Sequence, residues 1–265
     1  MMKMAMRWVR LLLLGTIVAL IVAPRADAEP LQAAADSYRR YLIDDIGQAL
    51  AGARALRERL AANDLDGARQ AWIAARVGWE RSEVFTGGFV PELDEEIDAW
   101  PNAEHGFHGI EATLFGASPS DAGAETDVLI AHLADVRAQV EHIDLAPQRL
   151  LNGIVRLAFE IGGNKADGGE SRLSGTSLND MRSNADGIAL AYRAIFADAV
   201  EAADPKLGAT ARAAIVRLQA AVTISDLRNL DGDNLRADSE ELVVLLQTAA
   251  PRLGLDKPTL EEGTR

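Results

Sequence analysis

Between Leu31 and about Ala62 the apolar residues Leu42, Ile46, Leu50, Ala53, Leu56 and Leu60 recur at three- and four-residue intervals, the spacing of one buried helix face. The same period returns along most of the chain. Ala and Leu abound, aromatics make up only 5% of residues, and β-branched residues are nowhere concentrated in alternating runs. An all-α protein is expected.

Asn63-Asp64 ends the first pattern, and Asp66 is placed to cap a second helix that runs through Ala71, Trp72, Ala75, Val77 and Trp79 toward Phe85. Gly87-Gly88 and Pro91 are expected to break that helix. Glu92 to Asp98 then reads as a loop or short helix, with Pro101-Asn102 starting the helix that carries His108 and Glu111. Gly116 to Thr126, rich in Gly, Ala, Ser and Asp, reads as a connection between halves. Further helices are expected from Asp127 to about His142, from Pro147 to Gly162-Gly163, and from Ser177 or Asn179 through Ala191 and Phe196. Two more span Thr210 to Val222 and Ser239 to Thr248. The sum is seven or eight antiparallel helices in two packed bundles, about residues 31–115 and 127–250 of a domain over 29–255, with a flexible tail over 256–265. Residues 162–177 hold five of the 22 glycines. Such a stretch is either a mobile loop or backbone shaped for a site.

Residues 1–28 have the form of a secretory signal: basic Lys3, Arg7 and Arg10, an apolar run from Leu11 to Ala23, and a small-x-small pattern at Ala26-Asp27-Ala28. The run is shorter than the roughly 20 residues of a membrane span, and Pro24 closes it. No cysteine occurs, so disulfides and a lipid-modified N-terminal cysteine are excluded. The expected product is soluble, exported, cleaved after about Ala28 and not a lipoprotein. Cleavage removes four basic residues and one acidic residue, taking the net charge from −13 to −16. So acidic a chain disfavours nucleic acid and anionic membranes as partners and attracts cations.

The chemistry-bearing pattern is His105-Gly-Phe-His108-Gly-Ile-Glu111. Three residues advance a helix by roughly 300°, so His108 and Glu111 sit on neighbouring turns and can converge on one metal ion. Alone, His-x-x-Glu reads equally as a solvated helix face. Glu80 and Glu83 repeat the spacing, Asp94 and Asp98 lie four apart, and Glu170 sits in the Gly-rich segment. One imidazole among several carboxylates suits iron, manganese or zinc and not copper(I). Two close carboxylates need a cation between them, which is either a metal or a basic side chain such as Arg76 or Arg81. Of the acids in Glu92 to Asp98, only one or two are expected as ligands. His105 reads as an outer or alternate ligand or as an exposed loop residue, and His132 and His142 as surface residues.

Four ordered blocks carry a resemblance. Ala74-Ala75-Arg76-Val77-Gly78-Trp79-Glu80-Arg81-Ser82-Glu83, Leu93-Asp94-Glu95-Glu96-Ile97-Asp98, Gly106-Phe107-His108-Gly109-Ile110-Glu111, and Gly169 to Asp180 with Asn184 and Gly187 behind resemble the successive motifs of the imelysin-like family. They are closer to its EfeO/EfeM iron-uptake branch, over about residues 36–250. The resemblance implies two four-helix bundles with a metal-binding cleft between them, in a periplasmic protein serving iron import. Its implied ligands are Glu80 and Glu83, Asp98 or Asp94, His108 and Glu111, and Glu170. It also implies iron as Fe2+ or Fe3+, with zinc or another divalent cation as the alternative, and a membrane permease and a periplasmic peroxidase as partners. Where the family often has Tyr-Ser-His-Thr-Asp, this chain has Leu173-Ser174-Gly175-Thr176-Ser177. No cupredoxin-like N-terminal domain is expected.

Three functions are open at this level: an iron carrier, a metallopeptidase using His-x-x-Glu, and a helical module that binds polysaccharide or a partner. The peptidase reading lacks His-Glu-x-x-His. The sugar-binding reading lacks stacking residues, with four Trp and three Tyr in the whole chain.

Overall fold

The computed structural model describes residues 28–98, 104–116, 122–163, 165–168 and 170–260. The expected signal segment before Ala28 and the expected helix start at Pro101-Asn102 lie outside these residues. Among them are ten α-helices and no strand: α1 (Ala28–Ala61), α2 (Leu65–Phe89), α3 (Pro91–Asp98), α4 (Gly106–Phe115), α5 (Gly123–Val140), α6 (Pro147–Gly162), α7 (Ser177–Ala191), α8 (Ala197–Ala203), α9 (Pro205–Val222) and α10 (Gly232–Ala249). A π-helical segment, Tyr192–Phe196, joins α7 to α8, so one expected helix becomes two.

Aspartates start three of the helices by accepting from the backbone three residues on, satisfying amides that have no intrahelical partner. Asp64 accepts from Gly67 N–H at 2.9 Å, Asp204 from Leu207 at 3.0 Å and Asp231 from Asn234 at 3.1 Å. The cap of α2 is therefore Asp64 rather than Asp66, which lies inside the first turn. Neither Gly87 nor Gly88 breaks α2. Gly87 instead gives room to the Arg156 guanidinium, which lies 3.2 Å from where its Cβ would stand, and the helix continues to bury Phe89.

α1 and α2 form an antiparallel pair across a three-residue turn, and α5 packs on α1, α3 and α4. α6, α7, α9 and α10 pack on one another, while α2 also packs against α6 and α7. α5 thus belongs with the first half. Of the expected connection from Gly116 to Thr126, Gly123 to Thr126 form the first turn of α5. The fold puts α2 at the seam, covered from both sides. Within the expected tail, Asp256 N–H donates to Gln148 at 2.7 Å, and Gln247 donates to the Pro258 carbonyl at 2.8 Å. Among the described residues no helix is long and apolar enough to cross a membrane.

Glycine makes the seam possible. A Cβ on Gly153 would stand 1.9 Å from the Val84 carbonyl oxygen, and one on Gly187 would stand 2.4 Å from that of Arg81. α6 and α7 therefore touch the backbone of α2 directly. Gly153→Ala should destabilise the protein by about 1–3 kcal/mol through overpacking, read as a lower urea midpoint at unchanged slope.

Candidate metal centre

α2 places Arg76, Glu80 and Glu83 on one face at i, i+4 and i+7, and all three are buried. Asp98 ends α3 opposite them. Gly106, at φ +59, turns the chain tightly over α3, where a Cβ would meet the Ile97 carbonyl at 2.3 Å. That turn sets His108 and Glu111 on the first two turns of α4, both buried. The Gly-rich segment brings Lys165, Glu170, Ser171 and Ser174, and α7 brings Asp180 and Asn184.

Donor atoms of Asp98, His108 and Glu170 lie within 4.8 Å of one another, as do those of Glu80, Glu83 and Asp98. Five of the seven candidate ligands thus fall into two groups that share Asp98. Glu111 sits beside them but faces the other side of the imidazole: its Oε2 is 3.2 Å from His108 Nδ1. Arg76 Nη1 is 3.4 Å from His108 Nε2. A guanidinium only donates, so in the neutral imidazole Nε2 accepts from it and Nδ1 donates to Glu111, and Nδ1 donates to Glu111 in the charged form as well. Glu111 is held in turn by Ser174, whose N–H and hydroxyl donate to Oε1 at 2.8 and 2.7 Å. A carboxylate behind an imidazole is the common way to fix the tautomer and heading of a metal-binding histidine. Asp94 joins neither group. It lies among Arg156, Glu160 and Asp98, and burial pushes its carboxyl up to about 6. His105 pairs with Glu96 at 3.5 Å, and Arg81 pairs with Asp45 on α1.

Two cations within the protein answer the carboxylates. Arg76, 1% exposed, pairs with Glu80, with Asp98 at 2.7 Å and with Asp180 at 3.2 Å, and its guanidinium carbon lies 5.5 Å from the Phe107 ring centre and 5.8 Å from that of Trp72. Lys165 Nζ lies 2.9–3.2 Å from Glu170, Glu83 and Glu80. Asn184 Nδ2 donates to Glu80 Oε2 at 2.9 Å and to Glu83 Oε2 at 3.0 Å, and Ser171 donates to Asp180. Arg76 was one of two sequence candidates for this role. For Lys165 the only signal in the sequence is a solitary lysine in a Gly-rich segment, one of four lysines in the chain.

Five carboxylates (Glu80, Glu83, Asp98, Glu170 and Asp180) share these two fixed cations. Burial and the neighbouring Glu80 drive Glu83 well above the carboxylate range, and burial against only partial relief from Lys165 pushes Glu170 up to about 7. Burial works in the same direction at Asp98 and Glu111. It is outweighed at Asp98 by His108 and Arg76, and at Glu111 by the hydrogen bonds from His108 and Ser174, so both end below their ordinary values.

The raised and lowered groups act in different pH windows. A raised carboxyl favours the folded state fully below its ordinary value of 4.5, and that contribution is lost as pH rises through the folded value, about 7 for Glu170. Asp98 and Glu111 contribute above the ordinary range and lose it in acid. Metal-free protein in chelator should therefore be most stable near pH 4.5–5 and weaken toward pH 7.5, each tenfold difference in proton affinity being worth about 1.4 kcal/mol. Urea midpoints that rise steadily from pH 5 to 7.5 would contradict this.

A model of the imelysin family, also described as peptidase M75, matches residues 34–105 and 102–250. The chain belongs to the imelysin family. Among imelysin relatives, it is 28% identical over 194 residues to an Efem/EfeO family lipoprotein of Staphylococcus haemolyticus, covering 68% of this chain and 66% of that one. It is 28% identical over 183 residues to the iron uptake system component EfeO of Yersinia pseudotuberculosis, covering 65% and 49%. The chain thus spans about half to two thirds of the length of the curated relatives it matches. The crystal structure of an iron-regulated protein A precursor from Parabacteroides distasonis superposes with a TM-score of 0.69 over 85% of this chain and 95% of that one, at 17% identity. That likeness bears out the expected all-α imelysin fold.

Proposed function

We propose that this imelysin-family chain is the metal-binding component of an EfeO/EfeM-type iron-uptake system, exported to the periplasm, and that it holds iron as cargo for delivery to a membrane permease. A periplasmic peroxidase of the same system is the further partner in this reading. The observation that carries it is a pair of donor clusters at the seam that share Asp98, one with His108 and Glu170 and one with Glu80 and Glu83, each with its atoms within 4.8 Å of one another. The donors fit the cargo: oxygens from four carboxylates and one imidazole nitrogen suit Fe2+ or Fe3+, and zinc next. Their charge fits as well, since five carboxylates exceed the two cations they share and an entering metal relieves the excess. Iron-uptake relatives support the same reading.

The metallopeptidase alternative needs a free carboxylate to activate a metal-bound water. Glu111, the acid of His-x-x-Glu, is committed to His108 and Ser174. Calorimetric titration of residues 29–265 with Fe2+ anaerobically, and with Fe3+ citrate and Zn2+ in air, tests the proposal. Saturable binding of one ion with no hydrolysis of added peptides is expected. No binding of any of the three, or metal-dependent cleavage lost in Glu111→Ala, would overturn it.

A further inference from the structure

Lys165 occupies carboxylate oxygens that a metal ion would need. Its Nζ lies 2.9 Å from Glu170 Oε2, 3.1 Å from Glu83 Oε2 and 3.2 Å from Glu80 Oε2. One ammonium thus collects three of the five donors in the two groups, and it does so while 5% exposed. A metal ion binds carboxylate oxygen at roughly 2.0–2.6 Å, inside the ammonium's own shell. Two cations on the same three oxygens repel strongly where little water screens them. With Lys165 in place, only Asp98 and His108 remain outside its grasp, and Arg76 already donates to Asp98.

We propose that Lys165 is a tethered counter-cation that the metal displaces, so that loading is an exchange of one bound cation for another. The inference rests on the reading of the centre as an iron site. The local chain suits an exchange by the side chain alone. The Lys165 backbone N–H donates to the Glu160 carbonyl at 3.0 Å, which ties the residue to the end of α6, while the four-carbon lysine stem is intrinsically flexible. The ammonium keeps the metal-free carboxylates from repelling one another. Metal and lysine being mutually exclusive, each weakens the other reciprocally.

Only three lysines follow residue 28: Lys165, Lys206 and Lys257, of which the last two are exposed. They are internal standards for amine labelling by acetic anhydride, read by mass spectrometry with and without saturating Fe2+ under anaerobic conditions. Labelling of Lys165 relative to Lys206 is expected to rise at least about tenfold on loading. An unchanged or lower ratio in protein that calorimetry shows to be loaded would overturn the exchange. In parallel, Lys165→Met should bind Fe2+ at least about tenfold more tightly than wild type. Equal or weaker binding by folded Lys165→Met would also overturn it, and should that variant not fold, wild-type labelling decides. Failure of the wild type and the variant alike to bind Fe2+ would instead remove the iron-site reading itself.

Discussion

Arg76→Met should lower the unfolding free energy of the metal-free protein by about 3–5 kcal/mol, the usual cost of removing one partner from a buried ion pair. Met keeps most of the stem's volume against Trp72 and Phe107, so the loss is electrostatic. It strands Glu80, Asp98 and Asp180, which Arg76 now joins across α2, α3 and α7. Burial alone would lower the guanidinium's proton affinity, yet Asp180, Glu80, Asp98 and Glu170 together hold it above its ordinary value, which measures how strongly the carboxylates want that charge. Zn2+ should restore part of the lost stability, because a second source of positive charge then meets the same oxygens. The contrasting case is Arg228, whose partner Asp226 is its near neighbour on an exposed 3-10 turn. Arg228→Met should leave the urea midpoint nearly unmoved, as exposed pairs generally do. A small effect at Arg76 would mean that the buried carboxylates simply take up protons.

His108→Ala should weaken Fe2+ binding more than any other single change at the centre, since it removes the one nitrogen donor. Glu111→Ala should cost about 10–100-fold, the range for residues that orient a metal-binding histidine from behind. The ordering follows from the geometry, in which His108 Nε2 faces Asp98 and Arg76 while Nδ1 faces Glu111. The double variant should lose little beyond His108→Ala alone, because Glu111 acts through the imidazole. Fully additive losses in calorimetry would make Glu111 an independent ligand, as the resemblance implies.

The helices were legible because each buries one face at a 3.6-residue period, and the ligand pattern was legible because His108–Glu111 and Glu80–Glu83 lie one turn apart. What escaped was set by contacts distant in sequence. Lys165 meets Glu80 and Glu83 from 85 and 82 residues away, and no local spacing announces such a meeting. Which imidazole nitrogen Glu111 would face depends on the packing of Ser174 against α4. Gly87-Gly88 read as a break because glycine costs a helix roughly 1 kcal/mol. Burial of Phe89 and the close Arg156 outweigh that cost. Asp94 and Asp98 share a helix spacing, but Arg76 lies at one and Arg156 at the other, and this separates a candidate ligand from its neighbour.

Diffraction from crystals grown with Fe2+ under anaerobic conditions, collected on both sides of the iron absorption edge, tests the central claim most directly. One anomalous peak is expected, roughly 2.0–2.3 Å from His108 Nε2 and from carboxylate oxygens of Asp98, Glu170, Glu80 and Glu83, with Lys165 turned away. Iron found elsewhere on the molecule, or no peak while Lys165 stays between Glu80, Glu83 and Glu170, would contradict it.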